Sequence, residues 1–160
     1  MYISRQLADK HIEKIIESIK QNLISDPYLS RKNIHIIGIL DGGKYITNKI
    51  AEALGIVPEF IKIKSRKGEE IGDFDMQIGK DLLDRIFEKQ YDNSIVIIAD
   101  DILDTGRTIF LAEHLFLYKA VIWTAALIWR ETSILIPTFY GLKLDNQEWV
   151  DFFWEKGVVQ

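Results

Sequence analysis

The sequence contains no cysteine among its 160 residues. This absence excludes disulfide bonds, catalysis by a thiolate and zinc sites that use cysteine ligands. The histidines are only three, His11, His35 and His114, and their positions show no metal-binding spacing. We therefore interpret the histidines as structural and look for chemistry in other residue types.

The chain also lacks long apolar runs and an excess of positive charge. A membrane-spanning helix needs about 20 apolar residues, and no apolar run approaches this length. The start MYISRQLADKH has no signal-peptide core. The formal net charge of −4 predicts no general attraction to nucleic acid or to an anionic membrane. We expect a cytoplasmic protein with neither a nucleic-acid partner nor a membrane partner.

Short apolar segments and amphipathic segments alternate along the chain, with no repeat and no linker-like composition. Helical spacing of apolar residues predicts helices over residues 7–23 and 46–54. Between them, the apolar run 34–40 ends at Asp-Gly-Gly-Lys, which gives the strand, turn and helix of half a βαβ unit. The pattern predicts an α/β fold with a mostly parallel central sheet flanked by helices.

The second half of the chain continues this pattern and then changes. We predict strands over 59–63, 95–99 and 120–129, a short helix over 78–88, and a charged mobile loop over 64–73. Residues 139–160 contain many aromatic residues without a clear helical or strand period, which indicates a small cap. One domain is expected, with a core over 1–138 and a hood or cap over 139–160.

Residues 95–108, IVIIADDILDTGRT, combine a buried strand with acidic groups near its tip and a glycine-containing turn into a helix. Ligands of open α/β sheets bind at the carboxyl ends of the strands, and helix N-termini attract anions. The stretch therefore predicts a site where carboxylates meet an anionic ligand. Two alternatives are a solvated strand end and a metal pocket of the phosphoacceptor receiver type.

The same stretch resembles the phosphoribosyl pyrophosphate (PRPP) signature of the type I phosphoribosyltransferases: a hydrophobic strand, two acids, two apolar residues and Asp-Thr-Gly-x-Thr. Asp100 and Asp101 can accept from the ribose hydroxyls and help to hold a magnesium ion. The segment after Asp104 can wrap the 5′-phosphate, with Arg107 contacting it or facing solvent. This phosphate segment consists of Thr105, Gly106, Arg107 and Thr108.

The resemblance gives Asp104 a separate role. Family members that act on 6-oxopurines place the aspartate before Thr-Gly near N7 of the base, where a carboxylate can accept the N7 proton. Asp104 is also suited to cap the following helix, and both roles are compatible.

The resemblance further implies two loops that contact pyrophosphate. The first is Asp41, Gly42, Gly43 and Lys44, whose glycine pair lets backbone N–H groups face the leaving group. Relatives commonly carry a basic residue where Asp41 stands. The second is the flexible catalytic loop, in which Lys64, Ser65, Arg66 and Lys67 would reach pyrophosphate on closure. The alternative for this second loop is an ordinary solvated hairpin loop.

Base recognition is expected from the end of the chain, which resembles the hood of bacterial xanthine-guanine phosphoribosyltransferases. Trp149 would stack on the purine, and the backbone near Val150 and Glu155 would meet its pyrimidine edge. Arg130 falls where those enzymes use a lysine to donate to the 6-oxo group. The alternative for Trp149 is an aromatic residue of the core.

These features predict a Mg²⁺-dependent enzyme that transfers the 5-phosphoribosyl group from PRPP to guanine, xanthine or hypoxanthine. Two alternatives are a regulator of the same fold that senses PRPP or nucleotides, and a phosphoribosyltransferase for a pyrimidine or another base. Members of the family are generally oligomers, so a homodimer or homotetramer is expected.

Overall fold

A computed structural model describes residues 1–65, 74–145 and 148–155. Its helices are α1 (Arg5–Ser25), α2 (Lys44–Leu54), α3 (Lys80–Phe87) and α4 (Arg107–His114). Its strands are β1 (Tyr2–Ile3), β2 (Ile34–Leu40), β3 (Glu59–Ser65), β4 (Phe74–Ile78), β5 (Ile95–Leu103), β6 (Val121–Arg130), β7 (Phe139–Leu144) and β8 (Asp151–Phe152).

The central sheet has the strand order β4-β3-β2-β5-β6-β7. All neighbouring pairs are parallel except β3 with β4, which are antiparallel. The α/β fold with a mostly parallel, helix-flanked sheet is thus confirmed. Parallel strands end at the same edge, so the residues that follow β2, β5 and β6 meet there.

Strand β5 lies at the middle of the sheet and divides the core into two layers. Ile95, Ile97 and Ala99 pack with α1 and α2, whereas Val96 and Ile98 pack with α3 and α4. Successive side chains of a strand point to opposite faces, and both faces of this one are covered. This explains why the apolar run of β5 shows no polar alternation.

The helix ends follow from local sequence. The hydroxyl of Ser4 accepts a hydrogen bond from the Leu7 N–H at 3.2 Å and so caps α1. Gly55 ends α2 with a positive φ of 68°, a conformation that glycine adopts without steric cost.

Two predictions about the fold are wrong. Phe139–Leu144 is not part of a cap, because it forms an edge strand of the central sheet, in register with β6. Residues 74–78, of which only the last was assigned to any element and then to a helix, form β4 against β3. The predicted cap is smaller than 139–160 in consequence, and its described part contains β8, which pairs in parallel with β1.

Within the described ranges, no helix is long and apolar enough to cross a membrane.

Candidate active site at the carboxyl edge of the sheet

Asp100 and Asp101 lie near the carboxyl end of the central strand, β5, and are each only 8% exposed. The Asp101 N–H donates to Asp100 Oδ1 at 2.9 Å, and the Ile102 N–H donates to Asp101 Oδ1 at 2.7 Å. The strand continues to Leu103, so the carboxylates emerge from the strand itself rather than from the loop after it. The backbone therefore holds both side chains in fixed directions.

Burial governs the ionisation of this pair. It raises the pKa of Asp100 well above its usual range, and the charge of Asp101 raises it further. Burial likewise raises the pKa of Asp101, against hydrogen bonds that lower it, and the charge of Glu155 adds to the increase. Two buried carboxylates of this kind favour a ligand that brings hydroxyl donors or a cation.

The Asp100→Asn variant should have a higher free energy of unfolding than the wild type. The difference should grow as pH rises. An aspartate in an unfolded chain has a pKa of about 3.9. Because folding raises this pKa, the wild type loses stability as pH rises from about 4 through the raised value, and asparagine removes that loss. Urea denaturation between pH 4 and pH 8, with a chelator present, measures the difference. An advantage that did not grow with pH would contradict the assignment.

The loop from Asp104 to Thr108 leads directly into α4. Gly106 has a φ of +80°, and a Cβ atom placed on it would lie 2.5 Å from the Ser133 hydroxyl. The Ile134 N–H donates to the Thr105 carbonyl at 3.0 Å, so the segment after β6 supports the loop from outside. Asp104, Thr105 and Arg107 remain exposed, while Thr108 is half-buried. The Arg107 N–H, the first of α4, donates to the Thr105 hydroxyl at 3.4 Å, and the N-terminus of this helix favours an anion beside the acidic pair.

The second glycine loop packs against the acidic pair. A Cβ atom on Gly42 would lie 2.1 Å from Asp101 Oδ2, and one on Gly43 would lie 2.8 Å from the Ala99 carbonyl oxygen. The Gly43 N–H donates to the Ile39 carbonyl at 2.9 Å, and the Leu40–Asp41 peptide bond is cis. Only glycine permits this close approach, so the loop from β2 and the tip of β5 form one surface.

Lys62 is a charged residue of this surface that the sequence analysis missed. Its ammonium group lies 3.0 and 3.2 Å from the two carboxylate oxygens of Asp41. Lys44 is instead the exposed first residue of α2. The charges beside the glycine pair therefore form an ion pair between Asp41, which follows β2, and Lys62, which lies in the middle of β3.

The predicted catalytic loop is only partly described. Lys64 and Ser65 belong to β3 and pair with β4, so the prediction that they are loop residues is wrong. Antiparallel pairing with residues 74–75 extends the strand by two residues. Arg66 and Lys67 lie outside the described residues, and the role of this loop stays a prediction.

Arg130 connects the acidic loop to the end of the chain. It ends β6 and is 6% exposed. Its Nε atom lies 3.1 Å from Asp104 Oδ1, and its Nη2 atom donates to the Glu148 carbonyl at 2.5 Å. A planar guanidinium can serve two acceptors in this way.

The residues after Glu148 form one wall of a cavity. Trp149 is 77% exposed and is therefore not a core residue, and its indole N–H donates to Asp151 at 2.8 Å. Val150 is buried, and a carboxylate oxygen of Glu155 accepts from the Phe152 N–H at 3.1 Å. These contacts leave the face of the Trp149 ring open beside the cavity.

The cavity measures 450 Å³ and brings distant parts of the chain together. Its volume is in the range of small-molecule sites. Predicted site residues that line it are Asp101, Asp104, Thr105, Arg130, Trp149, Val150 and Glu155. The sequence analysis missed Ile102, Thr132 and Phe152, which also line it and carry no local signal of a site.

The fold and this edge define a class of protein: an α/β protein whose central strand delivers an acidic pair and a phosphate-type loop to one cavity. The family model described as "Phosphoribosyl transferase domain" matches residues 4–159. The chain belongs to this family, which confirms the recognition made from residues 95–108 and supports an enzyme of the phosphoribosyltransferase class. No curated protein matches the chain in sequence.

Solved structures of similar fold include three purine-related proteins. The purine phosphoribosyltransferase from Pyrococcus horikoshii has 22% identity and a TM-score of 0.75, over 100% of this chain and 97% of its own. The xanthine-guanine-hypoxanthine phosphoribosyltransferase from Helicobacter pylori has 16% identity and a TM-score of 0.65, over 96% and 90%. A hypoxanthine phosphoribosyltransferase mutant from Trypanosoma cruzi, complexed with the product IMP, has 20% identity and a TM-score of 0.68, over 88% and 75%. At these identities the likeness shows the fold alone.

Proposed function

We propose that the protein transfers the 5-phosphoribosyl group from PRPP to a 6-oxopurine, which yields a nucleoside monophosphate and pyrophosphate. The observation that carries this proposal is the 450 Å³ cavity. It places Asp104, Arg130 and an exposed tryptophan next to the acidic tip of β5. The fold neighbours named for purines and for IMP support the choice of base.

The sugar half of PRPP binds at the tip of β5 and the start of α4. Asp100 and Asp101 accept from the ribose 2′ and 3′ hydroxyls, which reduces the cost of burying two carboxylates. The backbone of 105–108 and the hydroxyls of Thr105 and Thr108 hold the 5′-phosphate. Arg107 is exposed at the first residue of α4, from which a contact to this phosphate remains a prediction.

Magnesium fits this arrangement as an ion shared with the substrate. No group of three or more potential ligands occurs within 1–65, 74–145 and 148–155, so these residues form no complete cage. Mg²⁺ is commonly bound by one or two carboxylates together with substrate phosphates. Asp100 and Asp101 are the residues that would hold it, and the ion would neutralise the departing pyrophosphate.

The base binds between Arg130 and the hood residues. Arg130 donates to the 6-oxo group, Trp149 stacks on the purine ring, and the backbone at Val150 and Glu155 meets the pyrimidine edge. Arg130 is already held by Asp104 and by the Glu148 carbonyl. The same guanidinium therefore fixes the distance between the 6-oxo site and the carboxylate at N7.

Asp104 takes the proton of the base. Its side chain is 61% exposed and faces the cavity. As N9 of the base attacks C1′ and the bond from C1′ to pyrophosphate breaks, the carboxylate of Asp104 accepts the N7 proton. Positive charge that develops at C1′ is stabilised by the ribose-binding carboxylates and by substrate phosphate oxygens.

A panel of bases tests the proposal. Purified protein with PRPP and Mg²⁺ should form a nucleotide from guanine, xanthine or hypoxanthine, and should release one pyrophosphate for each nucleotide. Uracil and orotate should react at least about 100-fold less, because their rings leave the donors and acceptors of the site unpaired. In the Trp149→Ala variant, KM for the purine should rise about tenfold with little change in KM for PRPP.

The same panel separates the alternatives. Turnover of uracil or orotate above the purines would replace the purine proposal with a pyrimidine enzyme and would remove the roles of Arg130 and Trp149. PRPP binding without turnover of any base would favour a regulator. Sedimentation of the same sample tests the expected homodimer or homotetramer.

A further inference from the structure

The pyrophosphate loop of this chain begins with a carboxylate. Asp41 follows β2 directly, and its side chain is 80% exposed beside Gly42 and Gly43. The buried carboxylate of Asp101 lies against the same loop. A ligand with several negative charges therefore meets the carboxylates of Asp41 and Asp101 at this loop, where the Gly43 N–H already donates to the Ile39 carbonyl.

The partner of Asp41 comes from the neighbouring strand. Lys62 is in register with Leu40 in the parallel pair of β2 and β3, so its side chain starts at the same height as the loop. Ile61 and Ile63 are buried on one face of β3, which turns Lys62 to the other face. The side chain of Lys62 is only 27% exposed, so its stem is packed and its ammonium group is held near the loop.

Lys62 differs from Lys44 in this respect. Lys44 is exposed at the start of α2, and among the described residues it has no ion pair that would direct its ammonium group toward the glycines. A flexible lysine loses side-chain entropy when it is ordered on a ligand. Lys62 has already lost much of that freedom in its contact with Asp41.

We propose that Lys62 is the cation that binds the diphosphate of PRPP at the Gly42–Gly43 loop, with Asp41 as the residue that holds it in position. This inference rests on the proposed function and names a residue that the loop sequence itself does not contain. An ammonium group has three N–H donors, so Lys62 can bind a phosphate oxygen while it keeps a contact with Asp41. The cation of this loop is thus supplied by β3, the strand next to β2.

Calorimetric titration with two probes tests the role of Lys62. Lys62→Met should weaken binding of magnesium diphosphate about tenfold or more, which is the loss of one charge-assisted hydrogen bond. Inosine monophosphate carries no diphosphate, so its affinity should stay within about twofold of the wild type. Lys62→Arg should recover a large part of the diphosphate affinity, because arginine restores the charge and the donors.

Asp41→Asn separates a direct contact from simple neutralisation of Asp41. If Lys62 binds diphosphate, the double variant Lys62→Met/Asp41→Asn should remain about tenfold weaker than Asp41→Asn alone. Equal affinities of these two proteins would overturn the proposal. The Lys20→Met variant, which removes one exposed charge near the far end of α1, is the matched control and should bind diphosphate as the wild type does.

Failure of this inference differs from failure of the proposed function. A wild type that binds both probes, together with an unchanged Lys62→Met variant, overturns the role of Lys62 alone. A wild type that binds neither PRPP nor inosine monophosphate overturns the proposed function and the inference with it. Thermal melting of each variant confirms that the compared proteins are folded, and unchanged monophosphate binding confirms that the site is intact.

Discussion

The Asp104→Asn variant is expected to lose about 10²–10⁴-fold in kcat, the usual contribution of one positioned acid-base group. Asparagine keeps the size of the side chain and an oxygen that can contact Arg130, but it cannot accept the N7 proton. Initial rates with PRPP and hypoxanthine measure the loss. The loss should shrink as pH rises, because the base then gives up its proton to solvent before it reacts.

The ion pair with Arg130 offers a competing explanation for any defect of this variant. If Asp104 only orients Arg130, the substitution should raise KM for the base and leave kcat near the wild-type value. A large fall in kcat with KM nearly unchanged supports proton transfer instead. Asp92→Asn, which makes the same change in an exposed turn before β5, is the control and should leave both parameters unaltered.

The central strand shows how much of the fold and the site a local sequence can predict. The unbroken apolar run 95–99 predicts a strand that is buried on both faces, and the structure places it between two helical layers and extends the strand to Leu103. Gly106 likewise marks its turn, because its φ of +80° is a backbone conformation that other residues rarely adopt. These features depend on residues close together in the chain, so their pattern is readable without a structure.

The missed features depend on residues that are far apart in the chain. Lys62 reaches Asp41 only because β2 and β3 are parallel and in a particular register, with α2 between them in sequence. The hydrogen bond that supports the loop 104–108 joins Thr105, which follows β5, to Ile134, which follows β6. Phe139–Leu144 was predicted to lie outside the sheet because aromatic residues give no clear period, although pairing with β6 fixes it as a strand. One signal of Lys62 is present in the sequence, because it is a charged residue between the apolar residues Ile61 and Ile63 of β3.

The residues predicted to bind the base show a different limit of prediction from sequence. The resemblance to a hood predicts which side chains approach the purine, and the structure places Arg130, Trp149, Val150 and Glu155 at the same cavity. It also shows that Arg130 forms an ion pair with Asp104, a contact that no motif indicates. In the proposed function, base selection and proton transfer both depend on this one guanidinium, so substitutions of Arg130 should affect both.

Gly42→Ala is expected to reduce kcat/KM for PRPP by about 100-fold or more, although alanine adds only one methyl group. The added Cβ atom would lie 2.1 Å from Asp101 Oδ2 and 2.5 Å from Asp101 Cγ. Asp101 is buried and hydrogen-bonded to the Ile102 N–H, so it has little room to move, and either the carboxylate or the glycine loop must shift. A misplacement of about 1 Å in a positioning group is enough for a loss of this size. Steady-state rates at varied PRPP measure it.

The binding pattern of Gly42→Ala should also differ from that of Lys62→Met. Because the clash displaces Asp101, the carboxylate proposed to bind the ribose, affinity for inosine monophosphate should fall together with affinity for diphosphate. Gly79→Ala is the matched control, since a Cβ atom there has nothing within 4 Å and φ is an ordinary −61°. The control should bind both ligands as the wild type does. Wild-type PRPP affinity in Gly42→Ala, with the protein folded, would show that the loop and the acidic pair do not act as one surface.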